Sequence, residues 1–354
     1  MGWRVIVADP FSMHLARMSK AVDRCYRVAP PNDDANRFRD DILRIVRTEN
    51  AELVIPVSEE SIYVASLRGR LPDNVGVFCA GQDAMLALHD KFRFNALAKS
   101  FGLSVPETCL VDDPALAEIA SGGDYVSKPR LSCSGRNVRT HRAGEAPPTD
   151  PGLLLQRRVC GPLMSSFSVV VSGKVRASSV YRGTVMDGSV AVCFEEIADA
   201  TRIRDWVATF AAQSHHTGFL SFDFIIDDDI PYAIECNPRA TSGIHFVAPG
   251  VLAPAILGDT SAARDASAQQ SLTESYSCFT AVLKSLFTGG AFAAHLASLR
   301  QARDITWQPQ DPWPFLLMMI NTWPIIARSI RYRQTFAVAA VRDIEWLGPP
   351  GDAG

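Results

Sequence analysis

The chain has 354 residues, which at about 150 residues per domain predicts two or three lobes. Hydrophobic residues make up 47% and charged residues 21%, an ordinary globular composition that excludes global disorder. The net charge of -3 gives no electrostatic footing for a nucleic-acid partner. The eight cysteines stand singly, with no C-x-x-C pair to suggest a zinc ribbon or a dithiol redox site. Without a secretory signal at the start, reduced thiols and a cytoplasmic location are expected.

In chain order, short apolar runs alternate with helical spacing over the first 80 residues or so. Strands are predicted at 4–8, 53–57 and 75–79, and helices at 40–49 and 59–67. Such alternation implies parallel pairing through right-handed crossovers, hence an open α/β lobe over 1–86. No G-x-G-x-x-G follows the first strand, so a dinucleotide site is not expected. One helix is predicted over 84–101, stopped by Gly102, with Pro106 turning the chain. From 125 to 238 the texture changes to β-branched and aromatic segments broken by Gly, Pro and Asp. Strands at 125–128, 153–157, 166–171, 175–181, 219–226 and 232–235 are predicted to pair antiparallel, with a helix at 203–216 and an exposed loop at 143–152. A second domain is therefore drawn over 87–260 and a third, helical by pattern, over 261–354. The late apolar stretch 314–327 is interrupted by Asn321 and Pro324 and is shorter than the ~20 residues of a membrane span. The apolar faces around Trp307, Trp313, Trp323 and Trp346 need cover, from the first lobe, a dimer interface or an acceptor pocket. Arg328, Arg331 and Arg333 are read as a solvated helix face.

The strongest chemical signal lies between Gly218 and Arg239. Two strands each carry an acidic residue, Asp223 and Glu235, and Asp227-Asp228-Asp229 between them is a natural turn. A hairpin lays the two carboxylates side by side, where they repel unless a cation intervenes. Asn237, two residues on, shares the face of Glu235 and completes an all-oxygen set suited to magnesium bridging phosphates. Arg239 follows Pro238 and offers a cation where a phosphoryl group develops charge. The alternative is a hairpin with a solvated acidic edge, disfavoured because Phe222, Phe224, Tyr232 and Ile234 flank it. A second signal is Lys128-Pro129 at a strand end, followed by Ser132-Cys133-Ser134-Gly135-Arg136, a point charge plus backbone N–H groups for a phosphate chain. Asp90-Lys91 is a third and by itself reads as a surface lysine. Arg176 and Arg182 are either carboxylate clamps or solvated strand residues. His215 and His216 end a helix, His245 either faces substrate or packs, and Cys236 points into the core.

Taken in order, these pieces resemble the ATP-grasp superfamily over roughly residues 1–260: Leu88-His89-Asp90-Lys91, Val126-Ser127-Lys128-Pro129 with the Ser/Gly loop, Gln156 to Val159 before Gly161, then Phe222-Asp223-Phe224 and Glu235-Cys236-Asn237-Pro238-Arg239. The resemblance implies an α/β N-terminal lobe, two α+β subdomains enclosing ATP, and a mostly helical C-terminal region. It implies that Lys91 and Lys128 hold the phosphates and that Ser132, Ser134, Gly135 and Arg136 close over them. It also implies that Gln156, Arg157, Arg158 and Val159 form the hinge that reads adenine. Asp223, Glu235 and Asn237 match the ligands of Mg2+ (or Mn2+), while Arg239 and Lys128 match the catalytic cations. The Glu that often follows the hinge glycine is missing after Gly161, and Glu195 or Glu196 is the substitute considered. The implied activity joins a small-molecule carboxylate, activated as an acyl phosphate, to an amine substrate, giving an amide. The alternatives are a bicarbonate carboxylase, a thiol ligase, or a nucleotide-binding regulatory module without turnover. A homodimer is the habit of such enzymes.

Overall fold

The computed structural model describes residues 2–132, 137–187, 190–259, 271–274, 292–334, 336–346 and 348. The first lobe has two parallel strand pairs rather than one continuous sheet. β1 (Ile6–Asp9) pairs with β2 (Arg24–Arg27), and β3 (Leu53–Val54) with β4 (Gly76–Val77). Pro10 directly ends β1, and Pro56 follows β3 closely; proline has no N–H to extend a ladder. Helix α1 (Ala35–Glu49) begins earlier than its apolar spacing predicts, because Asp34 accepts a hydrogen bond from Arg37 N at 2.9 Å and caps it. Its inner face buries Phe38, Ile42, Ile45 and Val46 against Tyr63 and Val64 of α2 (Ser61–Ala65). Trp346, from the end of the chain, closes this core edge-on to Tyr63 with ring centroids 5.2 Å apart.

The helix predicted over 84–101 is in fact two, α3 (Gln82–His89) and α4 (Lys91–Ser100). Asp90 between them is extended, with ψ 110°, and its Oδ1 accepts from Phe92 N and Arg93 N at 2.9 and 3.3 Å. An Asp that caps the following turn interrupts a helix even where apolar spacing continues. Gly102, at φ +73°, ends α4 as expected.

Two antiparallel sheets follow. β5 (Thr108–Leu110), β6 (Tyr125–Pro129), β7 (Arg139–His141) and β8 (Leu153–Arg157) form the smaller, in the order β5-β8-β6-β7, and α5 (Leu116–Gly122) packs on it. The larger sheet is built from β9 (Leu163–Val171), β10 (Lys174–Asp187), β11 (Val190–Glu196), β12 (Gly218–Asp227) and β13 (Ile230–Asn237), in the order β13-β12-β9-β10-β11. Segments Ser271–Thr273 and Arg303–Asp304 extend its far edge. One face is covered by α4 and α6 (Thr201–Ser214) through an aromatic cluster. In that cluster Trp206 stacks on Phe210 at 5.5 Å and meets Phe222 edge-on at 5.0 Å. Each aromatic buried this way contributes about 1.5–3 kcal/mol, so the cluster anchors the strands that carry the acidic residues. The other face buries Phe167, Phe219 and Phe246 beneath α7 (Pro249–Ile256).

The late helices, Trp313–Leu316, Met318–Tyr332 and Phe336–Val341, lie beside the first lobe, where Asn32 Nδ2 donates to Arg342 O at 2.9 Å. Trp313 and Trp323 stay largely exposed. Among the described residues no helix is long and apolar enough to cross a membrane.

Candidate active site

The hairpin of β12 and β13 places Asp223 directly opposite Glu235, and Ser221 opposite Asn237. The turn expected from the aspartate run is present, with Asp228 and Asp229 both at positive φ. Asp223 Oδ1 accepts from Ser165 Oγ at 2.6 Å, and Oδ2 accepts from Asn237 Nδ2 at 3.2 Å. Burial, with the Glu235 charge adding to it, pushes the Asp223 carboxyl up to about 6. A cation between the two carboxylates would relieve both effects. Among the described residues no three His, Cys, Asp or Glu side chains gather as a metal cluster, so two carboxylates and the Asn237 amide oxygen are the donors available here. That hard, all-oxygen set fits a magnesium-sized cation and not a softer metal.

Three cationic side chains converge on this pair. Lys91 is 4% exposed; its Nζ lies 3.3 Å from Glu235 Oε1 and donates to Ser132 O at 2.6 Å and Ser132 Oγ at 3.2 Å. It is therefore not the surface lysine that its position at a helix start suggested. Asp90 aims it, because capping α4 sets the direction of the first turn, and Arg130 Nη2 holds the same Asp90 at 2.5 Å. Lys128, at the end of β6, donates to Gln156 Oε1 at 2.9 Å and to Ile234 O at 2.8 Å. It thereby bridges the smaller sheet and β13, and burial lowers its pKa to about 8. Arg239 Nη2 donates to Asn237 Oδ1 at 3.2 Å and Nε donates to Glu59 Oε1 at 2.7 Å.

Glu59 was not singled out from the sequence. It is 4% exposed and comes from the first lobe, just past β3. Burial pushes its carboxyl up, but Arg239, His89 and Lys91 outweigh that and hold it below the usual range. Ligand groups in open α/β lobes gather at the carboxyl ends of strands, and that rule was the available pointer to Glu59. Behind Arg239, Ser221 Oγ donates to Arg239 O at 3.0 Å, and Tyr181 OH reaches Thr241 Oγ1 at 3.0 Å. Gly243 is obligatory in this turn, since a Cβ there would lie 2.5 Å from Phe167 Cβ.

The predicted hinge residues separate. Gln156 is buried under the cleft, pinned between Lys128 and Thr108 Oγ1. The Arg157 guanidinium turns toward α5, donating to Ile119 O at 2.9 Å, and Arg158 pairs with Asp124 at 3.2 Å. The backbone N–H groups of Arg157 and Arg158 donate to Glu107 O and Asp124 O, so those donors are already engaged. Val159 is half-buried just beyond the strand. Gly161 follows, where an added Cβ would fall 1.9 Å from Ile226 O. Ser134, Gly135 and Arg136 lie outside the described residues. Arg182 forms an ion pair with Glu195 at 2.8 Å, and Cys236 is buried in the core as expected. His216 is buried with Nε2 against Phe219 O at 3.2 Å.

This order of lysines, hinge and acidic hairpin coincides with a match of residues 88–243 to the ATP-grasp domain family. Residues 88–243 have the ATP-grasp fold. The carbamoyl phosphate synthase large chain, C-terminal section, of Methanopyrus kandleri is 23% identical over 254 residues, covering 61% of this chain. The chain spans 44% of that relative's length. Among solved structures, N5-carboxyaminoimidazole ribonucleotide synthetase from Thermus thermophilus superposes with a TM-score of 0.58 at 17% identity, over 76% of each chain. The biotin carboxylase domain dimer of Hydrogenobacter thermophilus 2-oxoglutarate carboxylase, in complex with MgADP, ADP and bicarbonate, gives 0.54 at 16% identity. It matches over 68% of this chain and 60% of its own. At such identities the structures establish a shared ATP-grasp fold, with its mixed α/β and α+β architecture.

Proposed function

We propose that the chain is an ATP-dependent ligase that activates a small-molecule carboxylate as an acyl phosphate and couples it to an amine. The observation that carries this reading is the register pairing of Asp223 with Glu235, beside Asn237 and ringed by Lys91, Lys128 and Arg239. Asp223, Glu235 and Asn237 would hold magnesium, which when bound neutralises charge on the phosphates. Lys91 and Lys128 hold the phosphates, with Ser132 positioning the Lys91 ammonium. Adenine lies beyond the end of β8 beside Val159, since the N–H groups of Arg157 and Arg158 are engaged within the protein. A carboxylate oxygen of the substrate attacks the γ-phosphorus, the bond to the β-phosphate oxygen breaks, and ADP leaves. Arg239, fixed by Glu59, faces the charge that develops on the phosphoryl oxygens. The amine then attacks the acyl carbon, phosphate departs, and the amine's proton passes to solvent. Transfers of this kind depend on positioning and charge stabilisation more than on a dedicated base, and no general base is assigned.

A carboxylase using bicarbonate is the second reading, favoured by the bicarbonate held in the Hydrogenobacter thermophilus structure. A homodimer is part of the proposal, supported by the dimer described for that same structure and checked by light scattering.

The experiment begins with melting temperature in ATP or ADP, with and without magnesium. Ligand at ~100 times its dissociation constant adds about 2.7 kcal/mol, a shift of several degrees. ADP release is then screened with carboxylate–amine pairs and with bicarbonate alone. Glu235→Gln and Asn237→Ala are expected to abolish magnesium-dependent turnover while leaving the fold intact. Normal turnover in both variants, or no shift with any nucleotide, overturns the proposal.

A further inference from the structure

A large cavity lies away from the phosphate-facing lysines, in the first lobe at the carboxyl ends of β1 and β3. Its volume of about 1040 Å³ is ample for a small organic molecule. Phe11, Ile55, Ile325 and Ile344 give it apolar walls. Two of its polar groups stand out among the described residues: a half-buried carboxylate without a cationic partner, and a buried amide with no partner. Asp9 receives only the Phe11 N–H, at 2.7 Å, and has no cationic partner among the described residues. Asn321, on the helix Met318–Tyr332, is 3% exposed, and neither its amide nitrogen nor its amide oxygen has a hydrogen-bond partner among the described residues. Buried amides are satisfied in folded proteins, and one left open beside a cavity points to a missing ligand.

The charge of the walls selects the sign of that ligand. Arg4 is ion-paired to Glu49 at 2.8 Å, so it is not available to an anion, and Asp343 is held by Arg328 at 2.6 Å. Burial lowers the His14 pKa, with Arg17 adding to the effect. Glu60 accepts from Val57 N and Ser58 N at 2.8 and 3.1 Å, whereas Asp9, whose pKa burial and nearby Asp343 raise to about 6, has no cationic counterpart on the wall among the described residues. The wall formed by Ile55, Val57, Ser58 and Glu60 is continuous in sequence with Glu59, whose carboxylate holds Arg239.

We infer that this cavity binds an organic ammonium with an apolar body, its N–H groups donating to Asp9 and to Asn321 Oδ1.

The test measures binding of 2-phenylethylamine to the full chain by calorimetry at pH 7.5, against 2-phenylethanol and 3-phenylpropionate. Saturable binding of the amine is expected, at least tenfold weaker for the alcohol and the acid. It is also expected to be at least tenfold weaker in Asp9→Asn and in Asn321→Leu. Asp9→Asn retains the acceptor for the Phe11 N–H, so its fold persists, and Asn321→Leu provides an independent check. Equal affinity for the alcohol, affinity unchanged in both variants, or no saturable amine binding overturns the inference. The magnesium-dependent nucleotide shift is read on the same samples. A nucleotide shift without amine binding removes the cavity assignment alone. Asp9-dependent amine binding without a nucleotide shift removes the ligase reading and keeps the cavity.

Discussion

Replacing Glu59 by Gln keeps the shape of a side chain that is 4% exposed but deletes the charge facing Arg239. With charge centres roughly 4 Å apart and an effective dielectric of about 20, the attraction is about 4 kcal/mol before desolvation. Deleting one partner of a buried pair costs about 3–5 kcal/mol, because the other charge stays buried without compensation. Arg239 keeps its bonds to Ala240 O and Asn237 Oδ1, at 3.1 and 3.2 Å, so the low end of that range is expected. Urea unfolding of the wild type, Glu59→Gln, Arg239→Gln and the double variant closes a thermodynamic cycle. A coupling energy of about 2–3 kcal/mol is expected, together with a fall in turnover for Glu59→Gln as Arg239 loses its anchor. Coupling below about 0.5 kcal/mol would refute the view that the first lobe sets this arginine in place.

Lys128→Met removes a buried charge and is expected to leave the melting temperature within a few degrees of wild type. It should weaken ATP binding by tenfold or more in calorimetry; unchanged affinity takes Lys128 out of the phosphate site. His216 is buried, and burial lowers its pKa from 6.5 to about 4, so acid protonates the unfolded chain before the folded one. Its contribution is complete above pH 6.5 and is lost as pH falls toward 4, at most about 3 kcal/mol. His216→Gln should flatten that part of the stability–pH profile measured by urea unfolding. At Gly161 a Cβ would meet the backbone oxygen of Ile226 at 1.9 Å, a contact no rotamer relieves. Gly161→Ala should destabilise by about 3 kcal/mol or more and displace the link between the two sheets, visible as a lower urea midpoint and weaker nucleotide binding.

Local sequence by itself determined the acidic hairpin and most strands around it, whereas β2, β5, β7 and β11 were not predicted. β8 was legible to its ends, and the aspartate run between β12 and β13 announced the turn that sets Asp223 against Glu235. Alternation and turn chemistry act over a few residues, so a single sequence displays them. The break at Asp90 was missed because apolar spacing runs on through it, whereas a side-chain cap depends on where one carboxylate points. The hinge arginines show the same limit, since only packing against α5 turns Arg157 away from the cleft.

The tertiary structure alone decided the rest. Glu59 reaches Arg239 across 180 residues of sequence, and Lys91 and Lys128 meet β13 from separate elements. Asn321 comes to the first lobe's cavity from near the far end of the chain. Such long-range contacts follow from which apolar faces find cover. That is a property of the whole packed chain, and no window of neighbouring residues encodes it.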